Sequence, residues 1–280
     1  MNDELIRPGW PEAASAVLAG RAGCTTHTTR TTCTTRTTLT VLVAFSSLLL
    51  AVLGFPAAAG ADPAAERREL VETITGDVQR TLRSLGDTRP DPVVLEVMRR
   101  VPRHEFVPRS EREAAYENRP LPIGFGQTIS QPFIVALMTD LLNPDSSDVV
   151  LEVGTGSGYQ AAVLSALVAE VHSIEIIPEL AASAQRRLDR LGYDNVSVTT
   201  GDGYYGLPDQ APFDAIIVTA AASHIPPPLV GQLATGGRMV IPVGGAFLTQ
   251  ELMLVEKVTA DSLQTRHLIP VRFVPLTGGH

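Results

Sequence analysis

The run Val149-Val150-Leu151-Glu152-Val153-Gly154-Thr155-Gly156-Ser157-Gly158-Tyr159 constrains this chain more than any other stretch. A short apolar segment leads into three alternate glycines, and an Ala/Leu/Val-rich segment of helical character follows. The pattern is a strand, a tight turn and a helix, the entry to a Rossmann-like nucleotide pocket. Glycine lets the backbone turn sharply and approach a ligand closely, because no Cβ intervenes. Glycine-rich turns between strand and helix are common, so the residues downstream have to sharpen the reading.

They do. Glu175, 21 residues after Gly154, closes the run Glu170-Val171-His172-Ser173-Ile174-Glu175. An acid at the end of a second strand can accept both ribose hydroxyls of an adenosine. A third strand, Val196 to Thr200, runs into Gly201-Asp202-Gly203, a second carboxylate held in a permissive turn. Phe213 to Ala220 reads as a buried strand and Gly236 to Gly244 as another. The dinucleotide fingerprint G-x-G-x-x-G is not matched, since the third glycine comes two residues on rather than three. That spacing suits a single adenosine better than a pyrophosphate. The series resembles the S-adenosylmethionine-dependent methyltransferases of the seven-strand class. The resemblance implies an α/β fold: Rossmann-like and doubly wound, with a mostly parallel seven-strand sheet, helices on both faces and N-terminal helices ahead of it.

Composition narrows the classes. A chain of 280 residues with 44% hydrophobic content can bury a sizeable core. Its net charge of −8 argues against an electrostatic grip on nucleic acid. Lys257 is the one lysine among 22 basic residues, an arginine bias that reads as genome composition. Cys24 and Cys33 both precede the strand pattern, so no disulfide, zinc site or thiol nucleophile is expected in the catalytic part. No metal is expected there.

Residues 1–61 read as an extension and 62–280 as the catalytic domain. The Thr/Arg-rich stretch 21–38 lacks the apolar surface to fold. Leu39 to Phe55 is uncharged and apolar, with arginines before it and Pro56-Ala57-Ala58-Ala59-Gly60-Ala61 after it, the build of a secretory signal. Two other readings stand beside it: an uncleaved membrane anchor, since 17 residues approach the spanning minimum, and a misassigned start. Any membrane contact is expected only through 39–55. Beyond it, Leu70, Val71, Ile74, Val78, Leu82 and Leu85 recur at helical spacing, predicting an amphipathic helix over 66–85. Further helices are expected over Pro92 to Arg100 and Phe133 to Leu142, the latter with Pro132 in its first turn. Leu121 to Pro132 reads as a Gly/Pro-punctuated loop, and strands are expected over Glu251 to Val258 and Arg266 to Pro275.

Several segments outside the cofactor half carry a closer resemblance. Ile123-Gly124-Phe125-Gly126-Gln127-Thr128-Ile129-Ser130-Gln131-Pro132 closely resembles the signature of protein-L-isoaspartate O-methyltransferases. So do Arg100 to Pro108, Gly201-Asp202-Gly203, Asp214 to Ala221, and Val271 to Leu276, which looks like that family's last strand. The similarity spans about residues 66–277. It implies transfer of a methyl group from S-adenosylmethionine to the α-carboxylate of an L-isoaspartyl residue in a damaged protein, which initiates repair. Such a carboxylate is already ionised at neutral pH, so none of the six histidines has to act as a base.

The resemblance places the active-site serine at Ser130, whose hydroxyl can donate to one carboxylate oxygen. Read from the residues alone, Ser130 is as well suited to cap the helix that follows. The substrate-binding set implied is Thr128, Ile129, Ser130, Thr219 and Ala220; Thr219 is expected to offer backbone groups, with ordinary loop chemistry as its other reading. The cofactor set is Glu152, Gly154, Gly156, Gly158, Glu175, Asp202 and Gly203. Within it Glu175 holds the ribose hydroxyls, and Asp202 the adenine amino group with Gly203 beside the ring. Glu152 either braces the glycine turn or approaches the cofactor's ammonium group.

Three rivals remain at this level. A small-molecule methyltransferase of the same fold is opposed by the loop around Ser130. A non-catalytic exported binding module is opposed by the intact acidic pair and glycine turn. A nicotinamide dehydrogenase is opposed by the glycine spacing. A cytosolic methyl donor favours a cytoplasmic enzyme, whereas residues 39–55 favour export or anchoring. Oligomeric state is not legible.

Overall fold

A computed structural model describes residues 62–86, 91–245 and 248–279; the readings made for the extension and its apolar run at 39–55 lie outside the described residues. Helix α1, Pro63–Ser84, starts three residues earlier than its apolar spacing predicts. The Asp62 side chain accepts the N–H of Ala64 (3.0 Å) and so caps it. Its buried stripe is Leu70, Val71, Ile74, Val78 and Leu82. Helix α2, Pro92–Arg100, is capped in the same manner by Asp91.

Residues 121–129 correct the sequence reading. Where a loop was expected, strands β1 (Leu121–Gly124) and β2 (Gln127–Ile129) form an antiparallel hairpin. Phe125 and Gly126 supply the positive φ values, 53° and 72°, that a tight hairpin turn requires. Pro122 obscured the first strand, because proline is tolerated only where no ladder N–H is needed. Helix α3, Pro132–Leu142, follows at once and stops at Asn143 in the left-handed region.

The main sheet is built from β3 (Val149–Val153), β4 (Glu170–Glu175), β5 (Val196–Thr200), β6 (Phe213–Val218), β7 (Leu233–Val243), β8 (Gln250–Thr259) and β9 (Ser262–Val271). Between these strands lie α4 (Tyr159–Ser165), α5 (Pro178–Leu191) and α6 (Pro227–Gln232). The strand order is β5-β4-β3-β6-β7-β8-β9. Strands β5 to β7 are parallel, while β8 and β9 are antiparallel additions. After β5 the chain crosses to the far side of β3, so the crevice of an open α/β sheet falls at the carboxyl end of β3.

Period-two alternation sorts the core into two faces. Val150, Ala215, Ile217, Val240, Leu252 and Leu254 pack with α1 to α5. Leu151, Val153, Ile216, Val218, Met239, Ile241, Met253 and Val255 pack toward Leu229 of α6. Helices on both faces of a mostly parallel seven-strand sheet were expected, and both are present.

The last strand is a second correction. It ends at Val271 rather than Pro275. The Phe273 N–H goes to Gln250 Oε1 (2.9 Å) instead of a strand partner, and Pro270 and Pro275 have no N–H to give. The chain leaves the sheet edge and crosses its carboxyl ends. There Ala221 N donates to Val274 O (2.8 Å) and Leu276 N to Ala221 O (2.7 Å).

Candidate active site

The glycine turn after β3 is held from three directions. Gly154 (φ 96°) donates its N–H to Ile174 O (2.8 Å), and a Cβ there would stand 2.5 Å from Thr219 Oγ1. That close approach explains the glycine. The Thr219 hydroxyl donates to Gly154 O (2.6 Å), while Thr219 N donates to Val153 O (2.9 Å). Any backbone contact of Thr219 with a peptide therefore falls to its carbonyl. Arg187 Nη1 donates to Ser157 O (2.7 Å) on the helical side.

Glu175 ends β4 and is buried at 6% exposure. Its Oε2 accepts Gly156 N (2.8 Å) and its Oε1 accepts Ile177 N (3.0 Å), so the acid already touches the turn. Asp202 follows β5; its Oδ1 accepts Tyr204 N (3.0 Å) and its Oδ2 accepts Gly279 N (2.9 Å) from the crossing C-terminal segment. Gly203 is buried, and a Cβ on it would stand 2.5 Å from Val153 Cγ1. Gly154, Gly156, Gly158, Glu175, Asp202 and Gly203 thus gather at the carboxyl ends of β3, β4 and β5.

Glu152 lies within β3, fully buried behind the turn. Ser173 Oγ donates to its Oε2 and pairs with Thr155 Oγ1, which ties the acid to the glycine turn. Burial is the main cause that pushes the Glu152 carboxyl from about 4.5 up to about 8, and the charge of Glu175 adds to it. The Ser173 hydroxyl pulls the other way. The Ala161 N–H draws the value down a little, yet Oε1 has no hydrogen bond of normal geometry among the described residues. Ser173 and Thr155 were missed in the sequence; the available hint was that Ser173 shares a strand face with Glu175 two residues on.

A raised carboxyl pKa makes a checkable statement about stability. Below about 4.5 both folded and unfolded chains hold the proton, and the contribution is whole. As pH rises toward about 8 the unfolded chain releases the proton while the folded one keeps it, so stability declines. The limiting slope is about 1.4 kcal/mol per pH unit. Glu152→Gln is expected to flatten this decline between these two pH values, measured by urea unfolding at a series of pH values; parallel curves for both proteins would contradict it.

Beside the turn runs a groove of about 690 Å³ lined by Thr128, Ser130, Thr219, Arg272 and Phe273. Ser130 does not cap α3: the cap position is Gln131, whose side chain makes no capping bond, and Phe133 N is taken by Asn118 Oδ1 (3.1 Å). Thr128 is exposed beside it. Ile129 is 3% exposed and its side chain belongs to the core, so only its backbone can face a substrate. Ala220 is likewise buried, one residue from the crossing segment. Groove and glycine turn share Thr219 as a common wall.

Residues 77–280 match the family model of protein-L-isoaspartate(D-aspartate) O-methyltransferase. Protein-L-isoaspartate O-methyltransferase 2 of Syntrophobacter fumaroxidans is 61% identical over 240 residues, covering 85% of this chain and 97% of that protein. The protein of the same name from Polaromonas sp. is 60% identical over 209 residues, covering 75% and 99%. A structure from Plasmodium falciparum, described as a β-aspartate methyltransferase and solved with S-adenosyl-L-homocysteine, superposes with a TM-score of 0.62 at 26% identity, covering 75% of this chain and 98% of that one. By the family model's match over residues 77–280 and the identity to these relatives, this chain belongs to the protein-L-isoaspartate O-methyltransferase family of S-adenosylmethionine-dependent enzymes.

Proposed function

We propose that this chain methylates the α-carboxylate of L-isoaspartyl residues in damaged proteins and peptides, with S-adenosylmethionine as donor. The observation that carries the reading is the shared wall: Thr219 both clamps Gly154 and lines the groove that holds Ser130. A peptide in that groove lies next to the glycine turn.

The residues fit the cofactor. Glu175 at the end of β4 and Asp202 two residues past the end of β5 suit the hydroxyls and amino group of an adenosine, and Glu152 Oε1, buried and without a hydrogen bond of normal geometry among the described residues, is the acceptor left for the cofactor's ammonium group. When bound, S-adenosylmethionine supplies an activated methyl on a sulfonium. Glu175 holds ribose hydroxyls. Asp202 Oδ2 exchanges the Gly279 N–H for the adenine amino group, with Gly203 beside the ring. Ser130 donates its hydroxyl to one oxygen of the substrate carboxylate and leaves the other aimed at the methyl. Thr128 and the backbone at Ile129, Thr219 and Ala220 line the peptide. Because the nucleophile is ionised at neutral pH, the protein's work is alignment and water exclusion.

Residues 62–280 are the catalytic domain in this reading, and 1–61 an appendage. No helix among the described residues is long and apolar enough to cross a membrane. A cytosolic donor places the enzyme in the cytoplasm; export through residues 39–55 is the competing outcome of cell fractionation.

Purified protein is expected to transfer labelled methyl to an isoaspartyl peptide at least about a hundredfold faster than to its normal aspartyl isomer, because misplacing the reacting oxygen by an ångström costs that much. Equal labelling of the two isomers would overturn the assignment.

A further inference from the structure

Ser130 makes no helix-capping bond among the described residues, and the start of α3 just after it is tied to Asn118, twelve positions before Ser130 in the chain. The Asn118 side-chain oxygen accepts Phe133 N (3.1 Å), the first-turn N–H of α3. The Asn118 backbone oxygen accepts Gln131 Nε2 (3.0 Å), from the residue immediately after Ser130. Both bonds pull the segment 130–133 against the strand-entry segment 115–120.

That segment is itself anchored. Arg103 is fully buried, and its Nε donates to Ala115 O (2.9 Å) while Nη2 reaches Arg119 O (3.5 Å). Its guanidinium lies 5.0 Å from the ring centre of Tyr159, the first residue of α4 after the glycine turn. Tyr159 N in turn bonds Ser157 Oγ (3.3 Å) within the turn. A path of packed and hydrogen-bonded groups therefore runs from the glycine turn, through Tyr159 and Arg103, to the segment 115–119 that carries Asn118, and from Asn118 to Gln131 and Phe133 just after Ser130.

We propose that Asn118 is a positioning residue for Ser130, setting the hydroxyl's distance from the glycine turn, with Arg103 as its anchor. The proposal rests on the role given above to Ser130. Substitution at 118 acts on the bond from Phe133 N to the side-chain oxygen, which aspartate keeps and alanine loses, whereas the backbone oxygen that accepts Gln131 Nε2 is present in every variant.

The test uses the purified full chain, an isoaspartyl peptide for turnover and S-adenosylhomocysteine for calorimetry. Asn118→Ala is expected to lower kcat about ten- to a hundredfold, with the dissociation constant for S-adenosylhomocysteine within about twofold of wild type. Asn118→Asp is expected to recover all but about threefold of the loss, and its activity should fall at low pH as the new carboxylate protonates. In a Ser130→Ala background, Asn118→Ala should cost less than about threefold, because its target is gone. An equal cost in both backgrounds overturns the positioning role while leaving Ser130 intact. A silent Ser130→Ala sinks the underlying role and this proposal together. A parallel loss of cofactor binding in Asn118→Ala shows a general structural defect and also overturns it. Should Asn118→Ala fail to fold, Gln131→Leu removes one of the two bonds and is read by the same double substitution.

Discussion

Glu175→Ala is expected to weaken binding of S-adenosylhomocysteine by about two orders of magnitude or more, measured by calorimetry on a protein that still unfolds cooperatively. The size follows from what the carboxylate does. It is buried, it accepts two backbone N–H bonds from Gly156 and Ile177, and in the proposed reading it takes the ribose hydroxyls. Hydrogen bonds to a charged group contribute about 1.5–3 kcal/mol each. Losing two of them at a ligand costs about 3–6 kcal/mol, more than a hundredfold in affinity. Glu175→Gln keeps one acceptor oxygen and should retain part of the affinity. A dissociation constant for Glu175→Ala within a few-fold of wild type would remove this residue from the cofactor site.

Ser130→Ala is expected to act on the other half of the reaction. Turnover of an isoaspartyl peptide should fall about a hundredfold, the scale seen when one oriented donor is removed from a reacting oxygen. Affinity for S-adenosylhomocysteine should stay within about twofold. The capping alternative makes the opposite statement, a loss of about 1 kcal/mol in stability with turnover spared. The structure already assigns the Phe133 N–H to Asn118, which is why the kinetic outcome is the expected one. A stability loss with unchanged kcat would restore the cap. The two substitutions thus separate cofactor binding from substrate alignment, since one acts from β4 and the other from the hairpin side of the groove.

Local order was legible wherever one physical signal dominated. The β4 run Glu170–Glu175 and the β5 run Val196–Thr200 end where their apolar and β-branched patterns end, at a carboxylate and at a glycine turn. Helix α2 begins at Pro92 and stops at Arg100 because an aspartate cap and a proline two residues past its end leave no choice. The hairpin at 121–129 was not legible, because a proline and three consecutive turn-forming positions hide two very short strands. The departure of β9 at Val271 was hidden too, since apolar residues continue to Leu276 and only Gln250, distant in sequence, claims the Phe273 N–H. Ile129 shows the same limit within the site. Its neighbours Thr128 and Ser130 line the groove, yet strand alternation turns Ile129 into the core.

Residue order alone settled the alternating strands and helices, the glycine turn and the two acids at strand ends. These depend on period, propensity and steric freedom among neighbours only a few positions apart. Three-dimensional packing decided the rest: that Thr219 clamps Gly154, that Asn118 rather than Ser130 meets the start of α3, and that burial raises the Glu152 carboxyl behind the turn. Each of those depends on burial and on a partner brought close only by folding, and neither quantity is written in the spacing of residues along a chain.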